Sequence, residues 1–333
     1  MIKPEYTDVK ELFLVYPKGF KDTTETLNNF YLNLISLIPE EITQYVIVNN
    51  QQSKIELDYR FSNKKVIPVL IEGFNELWLR DLMGINCGFN KIIKPTYKPD
   101  YCEYLYPKSY LLEIEKQVGE IFQKTIGANL IKMPLVLDGG NFVSNGKYAF
   151  LTDKVISQNS ENVNEIKKIL KGYLNVEPII LETSKTDKLG HTDGYLNFLN
   201  SETLCVSKYP QIQFLKDDIE YSNKLKEILI PFNFKLIDIY DRPVAEKVVG
   251  GGQFYADKSD ECLNSARGIF INFLILNKTI ILPEYTLPNY KKTMDYNSTN
   301  KFTLEKMGYK VKSINCDEIS KLGGSLHCIS FTN

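Results

Sequence analysis

Histidine, arginine and tryptophan are scarce in this chain. Its 333 residues include two histidines, His191 and His327, four arginines, Arg60, Arg80, Arg242 and Arg267, and one tryptophan, Trp78. Any imidazole chemistry is therefore confined to two positions, and any bidentate grip on a carboxylate to four. No run approaches the ~18 consecutive apolar residues of a membrane helix. The N-terminal stretch MIKPEYTDVKELFLVYPKGF carries acids among its apolar residues and lacks a secretory core, so the sequence reads as cytoplasmic. The six cysteines (87, 102, 205, 262, 316 and 328) lie far apart without a CxxC, which argues against a disulfide framework or a zinc site and makes free thiols the expectation. A formal net charge of −1 supplies no global field for nucleic acid or an anionic membrane. No Pro/Gly/Ser-rich linker divides the chain. At roughly 100–200 residues per domain one or two domains would fit, and a single catalytic domain spanning 1–333 is expected.

What is present is a sizeable apolar fraction, 43%, arranged in alternating patterns. Helical periodicity predicts helices near Thr24–Ile38, Tyr110–Thr125, Asn162–Tyr173, Ser222–Pro231 and Thr299–Gly308, with short β-type runs between them. One unit recurs: a polar or glycine-bearing elbow followed by a hairpin. Asp138-Gly139-Gly140 leads through NFVS and the turn Asn145-Gly146 into YAFLT, and His191-Thr192-Asp193-Gly194 leads through YLNFL into TLCVS. Ala266-Arg267-Gly268 leads through IFINFLI into TIILP, and Trp78-Leu79-Arg80-Asp81 through LMGINCG into IIKP. Repetition of this kind suggests pseudo-symmetry, with the elbows converging on one axis. An ordinary α/β domain with generic hairpins is the alternative, and spacing alone leaves both open.

The chemistry-bearing residues sit on these elbows and at the C-terminus. In Gly323-Gly324-Ser325-Leu326-His327-Cys328 the glycines allow close backbone approach. If the segment is a strand, Leu326 and Cys328 share a face and His327 turns to the other. A cysteine is usually a small buried hydrophobe, and Cys328 is distinguished only by its neighbours. His191 and Asp193, two apart on an extended segment, would share a face and offer an acid/base group beside a fixed anion. Trp78 with Asp81 is either a salt-bridged turn or one wall of a cation pocket. Asp138-Gly139-Gly140-Asn141 is compatible with a plain turn. Asn272, polar in an apolar strand, must brace the backbone or contact a ligand. Gly250-Gly251-Gly252 matches no phosphate-binding pattern and reads as a flexible loop.

In order, WxRD, DGGN, GHxD, an INF strand bearing Asn272 and a terminal GGxxHC resemble the agmatine deiminase and bacterial peptidylarginine deiminase family, as do Pro4-Glu5-Tyr6 and Tyr16-Pro17 near the start. The resemblance spans essentially the whole chain. It implies the α/β propeller fold of guanidino-group-modifying enzymes, the pentein fold: five ββαβ-like blades in pseudo-symmetric array around a central site. It implies Cys328 as nucleophile, His191 as general acid and then base, and Asp138 as the carboxylate orienting the histidine, an Asp where agmatine deiminases usually carry Glu. It also implies Asp81 and Asp193 as the grip on the guanidinium, and Trp78 and Asn272 at site-lining positions. His327 receives a supporting role only. No metal and no cofactor are implied, and the partner is a small guanidine; a homodimer is left open. Two departures bear on substrate: Leu-Met-Gly-Ile follows WLRD where agmatine deiminases usually have Thr-Gly-Pro, and GHTDG replaces the commoner GHVDN.

The implied reaction is hydrolysis of a guanidinium through a thiouronium-type intermediate, with agmatine as substrate and arginine or peptidyl-arginine as the alternative. An amidinotransferase, an acyl-directed thiol hydrolase and a non-catalytic propeller are the competing readings. Under the acyl reading Asp81 and Asp193 would lack a cationic partner. Arg267 is the one arginine near another motif and would serve a substrate carboxylate if it faced inward.

Overall fold

The computed structural model describes residues 2–21, 23–100, 107–159, 162–246, 265–287 and 294–333. Cys102, Cys262 and the Gly250-Gly251-Gly252 run lie outside the described residues. Among the described residues the architecture is α/β, with five separate small sheets. Four of them repeat one pattern. A short antiparallel hairpin comes first, and its second strand then pairs in parallel with a third strand reached through a helix, as parallel pairing requires. The hairpins join Ile85–Asn86 to Lys91–Thr96, Val143–Ser144 to Tyr148–Thr152, Leu196–Phe198 to Thr203–Lys208, and Leu274–Leu276 to Thr279–Glu284. The parallel partners are Asn129–Val136, Glu177–Leu181, Lys235–Tyr240 and Lys310–Asn315. All four expected hairpins are therefore present. At the Asn145-Gly146 turn only Gly146 takes a positive φ, 87°, while the Asn145 side chain accepts from the Lys147 and Tyr148 amides.

The remaining sheet is assembled from both ends of the chain. Glu11–Val15 pairs in parallel with Thr43–Val48, which pairs with Val66–Leu70, and the antiparallel partner of Glu11–Val15 is the C-terminal strand Phe331–Thr332. Phe331 packs against Phe13 and Phe122 with ring centroids 5.7 Å apart in each case. Such aromatic pairs contribute ~0.5–1.5 kcal/mol each beyond the area they bury. They anchor the chain three residues after Cys328.

Expected helix starts coincide with real caps. Thr24 accepts from the Leu27 amide ahead of helix Glu25–Leu37, and Asn162 accepts from Asn164 and Glu165 ahead of helix Val163–Leu174. Helix Lys108–Lys124 begins two residues before the expected bound. Helix Lys216–Leu229 begins six residues early, because its first turns are polar and give no apolar period. Helix Gln51–Arg60 escapes the pattern altogether: only Ser53 and Leu57 are buried on it. Among the described residues no helix is long and apolar enough to cross a membrane.

Candidate active site

Three of the four elbows are short helical turns, and they meet. Leu79–Met83 is a buried single-turn α-helix, while Gly139–Asn141 and Thr192–Gly194 are 3₁₀ turns. Close approach demands glycine. A Cβ on Gly139 would lie 2.0 Å from the Arg80 carbonyl oxygen, and one on Gly140 would lie 2.5 Å from His191 Nδ1 and 3.0 Å from Asp81 Oδ1. The turn that reads like a generic DGG is therefore the contact point of three motifs.

Cys328 lies in a turn, not on a strand. The Ile329 amide donates to the Ser325 carbonyl at 3.2 Å and the Ser330 amide to the His327 carbonyl at 3.2 Å. The strand alternation expected for 326–330 does not apply, and His327 is not turned away. Its Nδ1 lies 2.7 Å from Asp193 Oδ2 and its Nε2 2.7 Å from Glu5 Oε2. Asn272 braces this turn. Its Oδ1 accepts from the His327 amide at 3.0 Å and the Cys328 amide at 3.3 Å, and lies 3.4 Å from Cys328 Sγ, while its Nδ2 donates to the Asp193 carbonyl. The Trp78 ring fills the space a Cβ on Gly324 would take, within 2.2 Å, so it backs the turn and is itself buried.

His191 stands between two carboxylates. Its Nε2 is 3.2 Å from Asp138 Oδ2 and its Nδ1 is 3.9 Å from Asp81 Oδ1. Asp81 Oδ1 also accepts from the Gly140 amide at 2.8 Å. Burial disfavours the imidazolium, but Asp81 and Asp138 outweigh it and hold the His191 pKa up to about 9. Burial, reinforced by Asp138 and Asp193 against His191, pushes Asp81 up to about 6. Burial also acts to raise Asp138 and Asp193, yet His191 with Lys154 holds the first below the usual carboxylate range and His327 does so for the second. The Cys328 thiol is pushed well above its ordinary value by burial and by the charges of Asp193 and Asp81. Its Sγ is 3.8 Å from Asp193 Oδ2.

A cavity of about 280 Å³ opens onto this group. Cys328, His191, Asp193 and Asn272 line it, together with Tyr209, Phe214, Asp187 and Asp218. Lys188 is the one Lys or Arg among its described wall residues. Asp81, 3.9 Å from His191 Nδ1, is not among those wall residues. Arg267 is engaged elsewhere: it pairs with Glu246 at 3.3 Å and Asp317 at 3.4 Å and donates to the Thr286 carbonyl. Among the described residues no cluster of three or more His, Cys, Asp or Glu is placed to hold a metal ion.

Several participants were given no role by the sequence. Lys154, buried, lies 3.7 Å from Asp138 Oδ2 and donates to the Leu189 carbonyl at 2.6 Å. Glu5 and Arg80 pair at 2.6 Å beneath His327. Asp187 accepts from the Leu189 and His191 amides and so fixes the loop bearing the histidine. Its position four residues before His191, ahead of a glycine, was the one available hint.

The model of the family described as Porphyromonas-type peptidyl-arginine deiminase matches residues 1–333. A Legionella pneumophila (strain Paris) protein described as "Putative agmatine deiminase" is 27% identical over 282 residues, 79% of this chain and 74% of its own length. The solved Campylobacter jejuni agmatine deiminase superposes with a TM-score of 0.77 at 18% identity, covering 100% of this chain and 95% of that one. An Enterococcus faecalis agmatine deiminase gives 0.78 at 17%, with the same coverages, 100% and 95%. At these identities the solved structures establish the shared α/β pentein fold.

Proposed function

The chain belongs to the Porphyromonas-type peptidyl-arginine deiminase family, enzymes that hydrolyse a guanidino C–N bond, and on that premise we propose that it converts agmatine to N-carbamoylputrescine and ammonia through a covalent adduct on Cys328. We read the five sheets as blades of a propeller whose elbows surround the site. The observation that carries the reading is the meeting of Cys328 Sγ, Asp193 and His191 in one cavity, with the Asp138 carboxylate against His191.

A guanidinium is planar and cationic, and its carbon is a weak electrophile. Asp193 on the cavity wall pairs its N–H donors, and Asp81, 3.9 Å from His191 Nδ1, supplies the second carboxylate that fixes it in plane. The cation opposes the carboxylate field at Sγ, so the thiol gives its proton to solvent water and the thiolate attacks the central carbon. His191, already an imidazolium, gives its proton to the departing ammonia. It then takes a proton from water as the water attacks the S-linked carbon, expelling the Cys328 thiolate and leaving the ureido product. Asp138, with Lys154 beside it, holds His191 in place, and Asn272 holds the nucleophile's turn.

Agmatine carries an ammonium where arginine carries a carboxylate as well. Asp187, Asp218 and the Tyr209 ring on the cavity wall suit a cationic tail, and Arg267 is committed to Glu246 and Asp317. Arginine or peptidyl-arginine is the second reading, favoured by the family's description and by Lys188 on the wall. Ammonia release from agmatine, arginine and a benzoyl-arginine amide, compared as kcat/KM, decides between them. A preference for arginine of about ten-fold, ~1.4 kcal/mol of transition-state discrimination, sinks the agmatine assignment and leaves the deiminase chemistry standing.

A further inference from the structure

Asp193 is held from behind by an imidazole that is itself held at both ends. His327 Nδ1 meets Asp193 Oδ2 and Nε2 meets Glu5 Oε2, each at 2.7 Å. A carboxylate can only accept, so filling both contacts takes a proton on each nitrogen. Glu5 is fixed in turn by Arg80 Nη1 at 2.6 Å. The result is a row of alternating charge, Arg80, Glu5, His327, Asp193, that ends 3.8 Å from Cys328 Sγ. The charged groups facing the imidazole are Glu5 from the N-terminal segment, Asp193 from the Thr192–Gly194 turn and Arg80 from the Leu79–Met83 helix, whose Nε donates to the His327 carbonyl at 3.4 Å. Cys328 is its chain neighbour. Burial and Arg80 oppose the imidazolium, and the two carboxylates prevail.

We infer that Glu5 is a positioning residue of the active site: its carboxylate keeps His327 doubly protonated, and His327 in turn keeps Asp193 ionised, with Oδ2 occupied and Oδ1 left for the substrate cation. This rests on Asp193 being a guanidinium ligand. The contact joins residues 322 apart in sequence. Without the Glu5 charge, Nε2 loses its proton at lower pH and Asp193 faces a neutral imidazole. Nδ1 still donates, so the geometry survives, but the anion beside a protonated thiol is supported less. Substrate binding then suffers more than turnover. A residue that merely pinned the N-terminal segment would change thermal stability and leave the pH dependence alone.

The scarcity of histidine makes the test direct. Nitrogen-15 NMR of histidine-labelled protein shows two imidazoles, and Glu5-intact protein carrying H191N assigns the one belonging to His327. The expected result is a doubly protonated His327 at neutral pH, with its titration moved down by about one unit or more in Glu5→Gln. In ammonia-release kinetics, Glu5→Gln raises KM about ten-fold with kcat within about three-fold, and moves the alkaline limb of kcat/KM to lower pH; Glu5→Asp recovers part of both. A neutral His327 in the Glu5-intact protein overturns the inference even if Glu5→Gln does not fold. So does a Glu5→Gln enzyme whose KM and pH profile superimpose on the wild type. Wild-type protein that releases no ammonia from any guanidine would overturn the reading of the site instead, and the NMR result would still decide the Glu5–His327 pairing.

Discussion

Replacing Asp193 with Asn should move two properties of the site in opposite directions. Asp193 Oδ2 lies 3.8 Å from Cys328 Sγ. Two like charges at that separation repel by about 4 kcal/mol at an effective dielectric of about 20. His327, 2.7 Å from the same oxygen, cancels much of this field, so a net relief of about 1–2 kcal/mol, on the order of one pK unit, is expected for the thiolate in Asp193→Asn. Below the thiol pKa the thiolate fraction then rises about ten-fold, while its intrinsic nucleophilicity falls about three-fold. Alkylation by an uncharged reagent should therefore quicken about three-fold. Turnover should collapse over the same change, because a neutral amide replaces an ion-paired acceptor of the guanidinium; a loss of ~3 kcal/mol corresponds to about 10²-fold in kcat/KM. Iodoacetamide labelling of the Cys328 peptide, followed by mass spectrometry across a pH series, gives the first quantity, and ammonia release gives the second. Labelling at or below the wild-type rate would refute the electrostatic account of the thiol. Retention of more than about a tenth of kcat/KM would refute the role of Asp193 as a ligand.

Cys328→Ala should abolish ammonia release while leaving the thermal melt within a few degrees of wild type, since the side chain is only partly buried; appreciable residual activity would mean another nucleophile. Gly140→Ala should cost about 10²-fold in kcat, because its Cβ would lie 2.5 Å from His191 Nδ1 and must displace the acid/base residue; wild-type kinetics would show that His191 need not sit where it does. Asp81, pushed up to about 6 by burial, must be ionised to pair with a cation, so KM for agmatine should be about ten-fold higher at pH 5 than at pH 7. A flat KM over that range would remove Asp81 from the grip. The same carboxyl binds a proton more tightly folded than unfolded, so its contribution to stability is fully present below about pH 4 and lost as pH rises through about 6.

The hairpins were legible because turn chemistry and strand alternation act over a few residues. Asn145-Gly146, the LNK turn and the two caps at Thr24 and Asn162 all behave as their local preferences dictate. The ordered motifs likewise brought together Cys328, His191, Asp138, Asp81, Asp193 and Asn272. His327 was misplaced for a specific reason: alternation was applied to a segment that Gly323 and Gly324 divert into a turn, where neighbouring side chains need not point apart. Lys154 and Asp218 were not legible at all, and Glu5 was marked only as part of the Pro4-Glu5-Tyr6 segment, with no role. Each acts across a contact between elements far apart in the chain, and an isolated acid or lysine in a charged sequence carries no period, spacing or flanking turn to mark it. Trp78 belongs between these cases, since its motif marked the neighbourhood but not that its ring would lie under Gly324.

The electrostatics of the site bear on specificity more than the shape of its walls does. Asp81 and Asp138 favour the His191 imidazolium, while burial, with Asp193 and Asp81, favours the Cys328 thiol. A neutral acyl substrate entering this cavity would leave the thiol's field unchanged and its pKa high, so it would meet a weak nucleophile beside a ready acid. A guanidinium supplies the positive charge that the two acids lack, and only its arrival makes the thiolate favourable. On this reading discrimination against uncharged amides lies in the activation of the nucleophile itself, which is why an Asp193→Asn enzyme with a more reactive thiol should nevertheless be a poorer deiminase.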